Sequence, residues 1–151
     1  DFRFQVDGSG GRFLYMPGGG SLNPATHDTV DKKMHFVHQD GRAVFKFAVS
    51  SMADISAEIL RQNDLTGKDV DLFVPHQANH RIIDAAARRM GLEKGKVVAN
   101  IDRYGNTTCG TIPIGLCEAA DEGRIKQGDL AVLASAGAGY TWGSALLRWA
   151  F

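Results

Sequence analysis

Short apolar runs alternate with longer amphipathic segments over the last two thirds of this sequence. Four apolar runs have the length and composition of strands, namely 71–74, 97–101, 130–135 and 140–148. Apolar residues at three- and four-residue spacing predict helices from residue 43 onward, over 78–90 and over 108–122. Because strands that alternate with helices usually form a sheet that is covered on both faces, this order predicts an α/β fold.

The first 42 residues have a different pattern. Arg3–Asp7 and Arg12–Met16 alternate between apolar and polar residues around a glycine-rich loop, which predicts a β-hairpin. Residues 21–33 are polar and are predicted to be loop. We therefore divide the chain into a hairpin and loop region, 1–42, and an α/β domain, 43–151. The expected sheet of that domain is mixed, mainly parallel and five-stranded.

The charges of the sequence cancel, because 17 lysines and arginines are matched by 17 aspartates and glutamates. A chain without excess basic residues has little attraction for nucleic acid or anionic lipid, so neither partner is expected. The longest uncharged run, Leu130–Leu147, is interrupted by glycines and is not expected to span a membrane. No signal-peptide pattern is present, and we expect a cytoplasmic protein.

The two cysteines form neither a disulfide framework nor a metal-ligand pattern. His35 and His38 have no third ligand at suitable spacing, so no metal is predicted. Cys109 lies near the start of a predicted helix, where a thiolate is stabilised, and with a nearby histidine it could be a hydrolase nucleophile. We favour the alternative that Cys109 is a small buried residue facing the sheet. Cys117 is predicted to lie in the core.

Polar or small residues follow three successive predicted strands. His76 comes after the first of them, Asn106 after the second, and the small-residue turn 136–139 after the third. Ligands of parallel sheets collect at the carboxyl ends of the strands. A neutral imidazole N–H and a carboxamide N–H can both donate to one oxygen that gains negative charge, and backbone N–H groups of the turn can serve a second such oxygen.

Each of these residues also has a purely structural interpretation. A histidine after a strand is often a packing residue, and Asn106 after a glycine is equally suited to a turn with positive φ. Gly137 and Gly139 are typical of a hairpin turn. Their common position at one sheet edge is what favours a functional site.

Three ordered motifs carry a resemblance to a known family. The C-terminal half of β-ketoacyl-acyl-carrier-protein synthase III is similar to this chain at Val74–Ile82, at Asp102–Thr107, and at Gly128–Leu130 together with Gly137–Leu146. The likeness runs through essentially the whole chain and includes Asn23-Pro24 and Val44–Lys46 near its start. The resemblance implies a thiolase-type fold of two similar halves, of which this chain is the second. The first 42 residues would then include loops that cover the substrate channel.

The resemblance further implies an acyltransferase of the 3-oxoacyl-acyl-carrier-protein synthase III type. Such an enzyme starts fatty-acid synthesis by a decarboxylative Claisen condensation of an acyl-coenzyme A primer with malonyl-acyl carrier protein. Its nucleophilic cysteine lies in the first half, so this chain alone lacks it. No cofactor is implied beyond the coenzyme A thioester and the malonyl-acyl carrier protein, which are substrates. The implied partners are the acyl carrier protein, the N-terminal half and, when complete, a second copy in a homodimer.

Site residues also carry over from the family. His76 and Asn106 would be catalytic, and the backbone N–H of Ala138 would complete an oxyanion hole. The substrate channel would be lined by Gly41, Phe45, Ala78, Asn79 and Ile82. Arg81 would lie where the carrier protein docks. Ala136 departs from the aromatic residue often found in the family, which leaves the primer length open.

Two other functions remain open from the sequence. The chain could be a non-catalytic homologue that binds coenzyme A or a carrier protein. It could also belong to another decarboxylating condensing enzyme of the thiolase fold, one that makes alkylquinolones or ketones.

Overall fold

The computed structural model describes the whole chain, residues 1–151, as a mixed sheet with helices on both faces. The strands are β1 (Phe2–Val6), β2 (Leu14–Tyr15), β3 (His38–Gln39), β4 (Leu72–Pro75), β5 (Leu130–Gly137) and β6 (Thr141–Arg148). The α-helices are α1 (His27–Asp31), α2 (Gly41–Gln62), α3 (His80–Met90), α4 (Ile101–Tyr104) and α5 (Thr111–Asp121). Short 3₁₀ helices lie at Gly8–Phe13, Lys94–Lys96 and Thr108–Gly110. None of the helices combines the length and the hydropathy needed to cross a membrane.

The main sheet has four strands in the order β1-β6-β5-β4. The α/β class and the mixed sheet are confirmed, but the expectation of five mainly parallel strands is wrong. Only β4 and β5 are parallel, whereas β5–β6 and β6–β1 are antiparallel. The predicted strand 97–101 contributes a single bridge from Val97 to Phe73. It leaves the sheet because the Asn100 N–H donates to the Gln77 side chain, at 3.0 Å, and not to a strand.

The predicted N-terminal hairpin is also wrong. β1 pairs with β6, about 140 residues away in sequence, and β2 pairs with β3 in a separate two-stranded sheet. Two backbone hydrogen bonds between Asp7 and Tyr140, of 2.9 and 2.6 Å, fix β1 against the start of β6. The predicted loop 21–33 contains α1, which begins after Thr26 because that side chain accepts from the Thr29 N–H.

Two apolar clusters cover the two faces of the sheet. One lies between the sheet and helices α2 and α3, and includes Ile59, Phe73, Ile82 and Val132. The other lies under α5 and includes Leu72, Val74, Val98 and Ala131. Both faces of β4 are thus buried, which explains why its sequence is a continuous apolar run.

The two long helices that cover one face begin and end at residues with clear local causes. Asp40 caps α2 by accepting from the N–H groups of Arg42 and Ala43. Asn79 caps α3, and Gly91 ends it in the left-handed conformation with φ 72°. These caps place the first turns of α2 and α3 side by side at the carboxyl ends of β4 and β5.

Candidate active site

A cavity of about 740 Å³ opens at the carboxyl ends of β4 and β5. Eight of the nine predicted site residues line it: His76, Asn106, Ala138, Gly41, Phe45, Ala78, Asn79 and Ile82. Its size falls in the usual range for small-molecule sites, and its wall is mostly apolar with a few polar groups. Residues from four separate segments of the chain therefore meet around one space.

His76 lies directly after β4 and is half-buried. Its backbone N–H donates to the Ala134 carbonyl at 2.8 Å, so the parallel pairing with β5 extends to this residue. Its Nδ1 lies 2.7 Å from the Thr111 hydroxyl at the start of α5. Burial lowers the pKa of His76 below its ordinary value, so the imidazole is neutral near pH 7.

Gln77 was not predicted as a site residue. Its side chain fixes the segment after β4 through hydrogen bonds. It is fully buried, and its Nε2 donates to the carbonyls of Pro75 and Val98 at 2.9 and 3.1 Å. Its Oε1 accepts from the Asn100 N–H. One side chain therefore ties the loop after β4 to the segment that leads to Asn106. In the sequence, this role is indicated only by the position of the glutamine, next to a histidine at the end of a buried strand.

Asn106 lies on an exposed loop between α4 and the 3₁₀ helix at Thr108–Gly110. Gly105, at φ 67°, turns the chain into this loop. The Asn106 Oδ1 accepts from the Thr108 N–H at 2.9 Å, whereas its Nδ2 donates to no group of the chain. The amide is thus fixed by its oxygen, and its two N–H donors remain free at the cavity.

Glu118 on α5 fixes α4 from the outside and was also missed by the sequence analysis. Its carboxylate accepts from Asn100 Nδ2 at 2.7 Å, from the Arg103 guanidinium at 2.8 Å and from the Tyr104 hydroxyl at 2.6 Å. Hydrogen bonds from Asn100 and Tyr104 hold the pKa of the Glu118 carboxyl below its usual value. Little in the sequence indicates this cluster, because Asn100 and Tyr104 lie 18 and 14 residues before Glu118.

The β5–β6 turn supplies a backbone donor. Ala138 is exposed at the tip of the turn, and its N–H makes no hydrogen bond within the chain. The Gly137 and Gly139 pair forms the hairpin turn, and the same turn lines the cavity. The structural and functional interpretations of this segment are therefore compatible.

The remaining candidates lie at or near the cavity mouth. Arg81 is exposed and does not line the cavity, but its guanidinium carbon lies 4.8 Å from the centre of the Phe45 ring, which does. Cys109 is exposed and lines the cavity, so the expectation that it is buried against the sheet is wrong. Cys117 is exposed on α5 and not in the core.

A second, smaller groove of about 410 Å³ lies along β6 and is lined mostly by apolar residues. It contains neither His76 nor Asn106 and no titratable side chain, so we assign no chemistry to it. No group of three or more histidine, cysteine or acidic side chains is arranged to hold a metal ion.

Comparison with known proteins shows close relatives. Residues 60–149 match the family model described as 3-oxoacyl-[acyl-carrier-protein (ACP)] synthase III C terminal. The β-ketoacyl-[acyl-carrier-protein] synthase III of Koribacter versatilis is 57% identical over all of this chain, and that of Chlorobium phaeobacteroides is 58% identical over 99% of it. The chain covers 45% and 46% of these two proteins, so it spans about half their length.

Solved structures give the same relationship. The crystal structure of the Thermus thermophilus β-ketoacyl-[acyl-carrier-protein] synthase III superposes with a TM-score of 0.83 at 44% identity. The match covers 98% of this chain and 45% of that one. The sequence motifs, the fold and the family match agree, and the chain belongs to the family of 3-oxoacyl-[acyl-carrier-protein] synthase III C-terminal regions.

Proposed function

We propose that this chain is the C-terminal part of a 3-oxoacyl-acyl-carrier-protein synthase III, which condenses an acyl-coenzyme A primer with malonyl-acyl carrier protein. One observation carries the proposal: His76, Asn106 and Ala138 line the same cavity, and the Asn106 Nδ2 and the Ala138 N–H have no partner within the chain. The identity of more than half the residues with β-ketoacyl-[acyl-carrier-protein] synthase III proteins supports the same reaction.

The reaction has three bond changes that this site would serve. The primer acyl group passes from coenzyme A to a cysteine of the N-terminal half, and the coenzyme A thiol leaves. The malonyl C–C bond to the carboxylate then breaks, carbon dioxide leaves, and the electron pair moves to the thioester oxygen as an enolate. The enolate carbon attacks the acyl-cysteine carbonyl, and the cysteine leaves as a thiol after taking a proton.

His76 and Asn106 would stabilise the enolate oxygen. Both side chains donate N–H groups without a net charge, so they bind the oxygen more strongly once it becomes negative. The Ala138 N–H would hold the oxygen of the acyl-cysteine as the enolate attacks. Removal of one such donor costs about 3 kcal/mol, or roughly a hundredfold in rate.

The rest of the cavity would hold the pantetheine arm shared by coenzyme A and carrier protein. Gly41, Phe45, Ala78, Asn79 and Ile82 line its wall. Exposed Arg81, stacked against Phe45, would attract the acidic surface of a carrier protein at the mouth. We further propose a cytoplasmic homodimer for the complete enzyme.

The direct test uses the product of the complete gene with acetyl-coenzyme A and malonyl-acyl carrier protein. We expect one carbon dioxide and one 3-oxoacyl-carrier protein per turnover. A protein that binds both substrates but releases no carbon dioxide would contradict the proposal and favour a non-catalytic homologue. Condensation of two long acyl chains without carrier protein would instead favour a ketone-forming enzyme.

The 151-residue chain by itself gives a second test. Because the nucleophilic cysteine is assigned to the N-terminal half, we expect no acyl-enzyme when this chain is incubated with acetyl-coenzyme A. Intact mass spectrometry measures the acetyl group directly, with Cys109→Ser and Cys117→Ser as matched variants. Stoichiometric acetylation that disappears only in Cys109→Ser would make Cys109 a nucleophile and overturn the assignment.

A further inference from the structure

The Thr111 hydroxyl lies between the His76 ring and a backbone carbonyl. Its Oγ1 is 2.7 Å from His76 Nδ1 and 3.1 Å from the Thr108 carbonyl oxygen. Thr111 is 3% exposed at the first turn of α5, so water does not compete for these contacts. The hydroxyl therefore has two hydrogen-bonding partners in the chain, His76 Nδ1 and the Thr108 carbonyl.

The number of protons decides how these contacts form. A threonine hydroxyl has one proton and can donate to only one of its neighbours. When it donates to the Thr108 carbonyl, it accepts from a proton on His76 Nδ1, and both contacts are hydrogen bonds. When it donates to Nδ1, the short contact with the Thr108 carbonyl has no proton in it. The first arrangement makes one more hydrogen bond and avoids an oxygen–oxygen repulsion.

The other ring nitrogen is open to the cavity. His76 Nε2 makes no hydrogen bond within the chain, and it is not among the buried polar atoms that lack a partner. Since His76 lines the cavity and its ring is neutral near pH 7, Nε2 meets whatever the cavity contains. Its protonation determines whether it offers a donor or an acceptor there.

We propose that Thr111 is a positioning residue that keeps the proton of resting His76 on Nδ1, so that Nε2 faces the cavity as an acceptor. This reverses the preference of free histidine, whose neutral ring favours the proton on Nε2. The consequence for catalysis rests on the proposed function. A thioester oxygen needs donors, so on binding the half-buried ring takes a proton from water at Nε2 and returns the Nδ1 proton to water, with no net change in charge. The hydroxyl then turns from the Thr108 carbonyl and donates to the unprotonated Nδ1.

Asn106 and His76 are therefore not equivalent before substrate binds. The Nδ2 of Asn106 is a donor at all times, because its Oδ1 is held by the Thr108 N–H. His76 becomes a donor only after its proton has moved from Nδ1 to Nε2, which the Thr111 hydroxyl opposes. Thr108 takes part in both contacts, through its N–H to Asn106 and its carbonyl to Thr111.

The test is a ¹⁵N NMR measurement on the complete gene product labelled at histidine, without substrate and at pH 8. Two-bond correlations between ring protons and ring nitrogens show which nitrogen is protonated, and loss of the signals in His76→Gln assigns them. We expect His76 with a protonated Nδ1 and an unprotonated Nε2. A ring protonated on Nε2 in the unsubstituted protein would overturn the inference without use of any variant.

Two substitutions separate the hydroxyl from the shape of the side chain. Thr111→Val keeps the shape and removes the hydroxyl, and we expect the proton to move to Nε2. Thr111→Ser keeps the hydroxyl and should keep the proton on Nδ1. If Thr111→Val is folded by its methyl spectrum and the Nδ1 proton persists, Thr111 does not control the ring.

The outcome is independent of the proposed function. Absence of condensing activity with the Nδ1 proton in place would overturn the reaction and leave the Thr111 assignment intact. Condensing activity with a resting proton on Nε2 would support the reaction and overturn the Thr111 assignment.

Discussion

The two loops that bring His76 and Asn106 to the cavity are held in different ways. His76 is half-buried and continues a strand, with its N–H on the Ala134 carbonyl and its ring on Thr111. Asn106 is exposed and lies on a loop whose preceding helix is fixed by the side chain of Glu118. One position is built into the sheet, and the other depends on the half-buried carboxylate of Glu118.

This difference indicates where the site is robust and where it is sensitive. Backbone pairing between the buried strands β4 and β5 opens less readily than a cluster of partly exposed side chains. A cluster of side chains around one carboxylate can be loosened by a single substitution or by acid. We therefore expect perturbations of the surface to reach the cavity through Asn106 and not through His76.

The largest expected effect comes from removal of the two donors themselves. Under the proposed function, His76→Ala and Asn106→Ala should each lower the rate of malonyl decarboxylation roughly a hundredfold, about 3 kcal/mol. If both side chains bind one oxygen, the double variant should lose much less than the product of the two losses. Decarboxylation of malonyl-acyl carrier protein is measured by release of carbon dioxide. Fully multiplicative losses would show that the residues act on different atoms.

The next effect concerns the residue that connects the two loops. Gln77→Leu removes three hydrogen bonds and leaves the buried Asn100 N–H without a partner, so we expect a loss of about 3 kcal/mol in the free energy of unfolding. Urea denaturation measures this change. Exposed Gln127→Leu is the matched control and should change stability by less than about 0.5 kcal/mol. Equal stability of the two variants would contradict the role assigned to Gln77.

A smaller effect is expected from Glu118→Gln, which weakens the hydrogen bonds that fix α4. Amide exchange should accelerate at Tyr104 and Gly105, whose N–H groups donate to Asn100 and Ile101. The amide of His76 should keep its protection. Glu122→Gln, at an exposed position that does not contact α4, serves as control. Equal acceleration in both loops would show that they are not held independently.

The smallest expected effects come from pH and have a definite sign. The pKa of His76 is lowered in the fold from 6.5, so the unfolded chain binds more protons and stability falls as pH drops below about 6.5. The pKa of Glu118 is lowered from 4.5, so its contribution is present above that pH and is lost as pH falls further. Urea unfolding at pH 7.5, 5.5 and 3.8 separates the two windows. His76→Gln should abolish the first decrease only. Glu118→Gln should reduce the second decrease without abolishing it, because hydrogen bonds also lower the pKa values of Asp7 and Asp69.

The sequence predicted the local elements well and the long-range pairings poorly. The helices α2, α3 and α5 and the strands β4, β5 and β6 follow from apolar spacing, and Gly91 ends α3 as expected. The alternation in Arg3–Asp7 correctly indicated a strand, but nothing local shows that its partner is β6. Val97–Ile101 has the composition of a strand and leaves the sheet because a buried glutamine captures the backbone of Asn100.

The same distinction applies to the site. His76, Asn106 and Ala138 could be grouped because the ends of successive strands meet at one edge, and the cavity contains all three. Gln77, Thr111 and Glu118 could not, because each acts through hydrogen bonds to residues distant in sequence. The roles assigned to the grouped residues remain predictions. The division of the chain at residue 42 also remains a prediction.

β1 has a consequence for work with this chain in isolation. It is an edge strand of the sheet, pairs only with β6, and presents Phe2, Phe4 and Val6 to solvent. An unprotected apolar edge strand of this kind can pair with further strands, so concentrated samples of this chain should aggregate through backbone contacts. A lysine introduced on this edge strand would oppose such aggregation by charge repulsion, and β1 contributes no residue to the cavity.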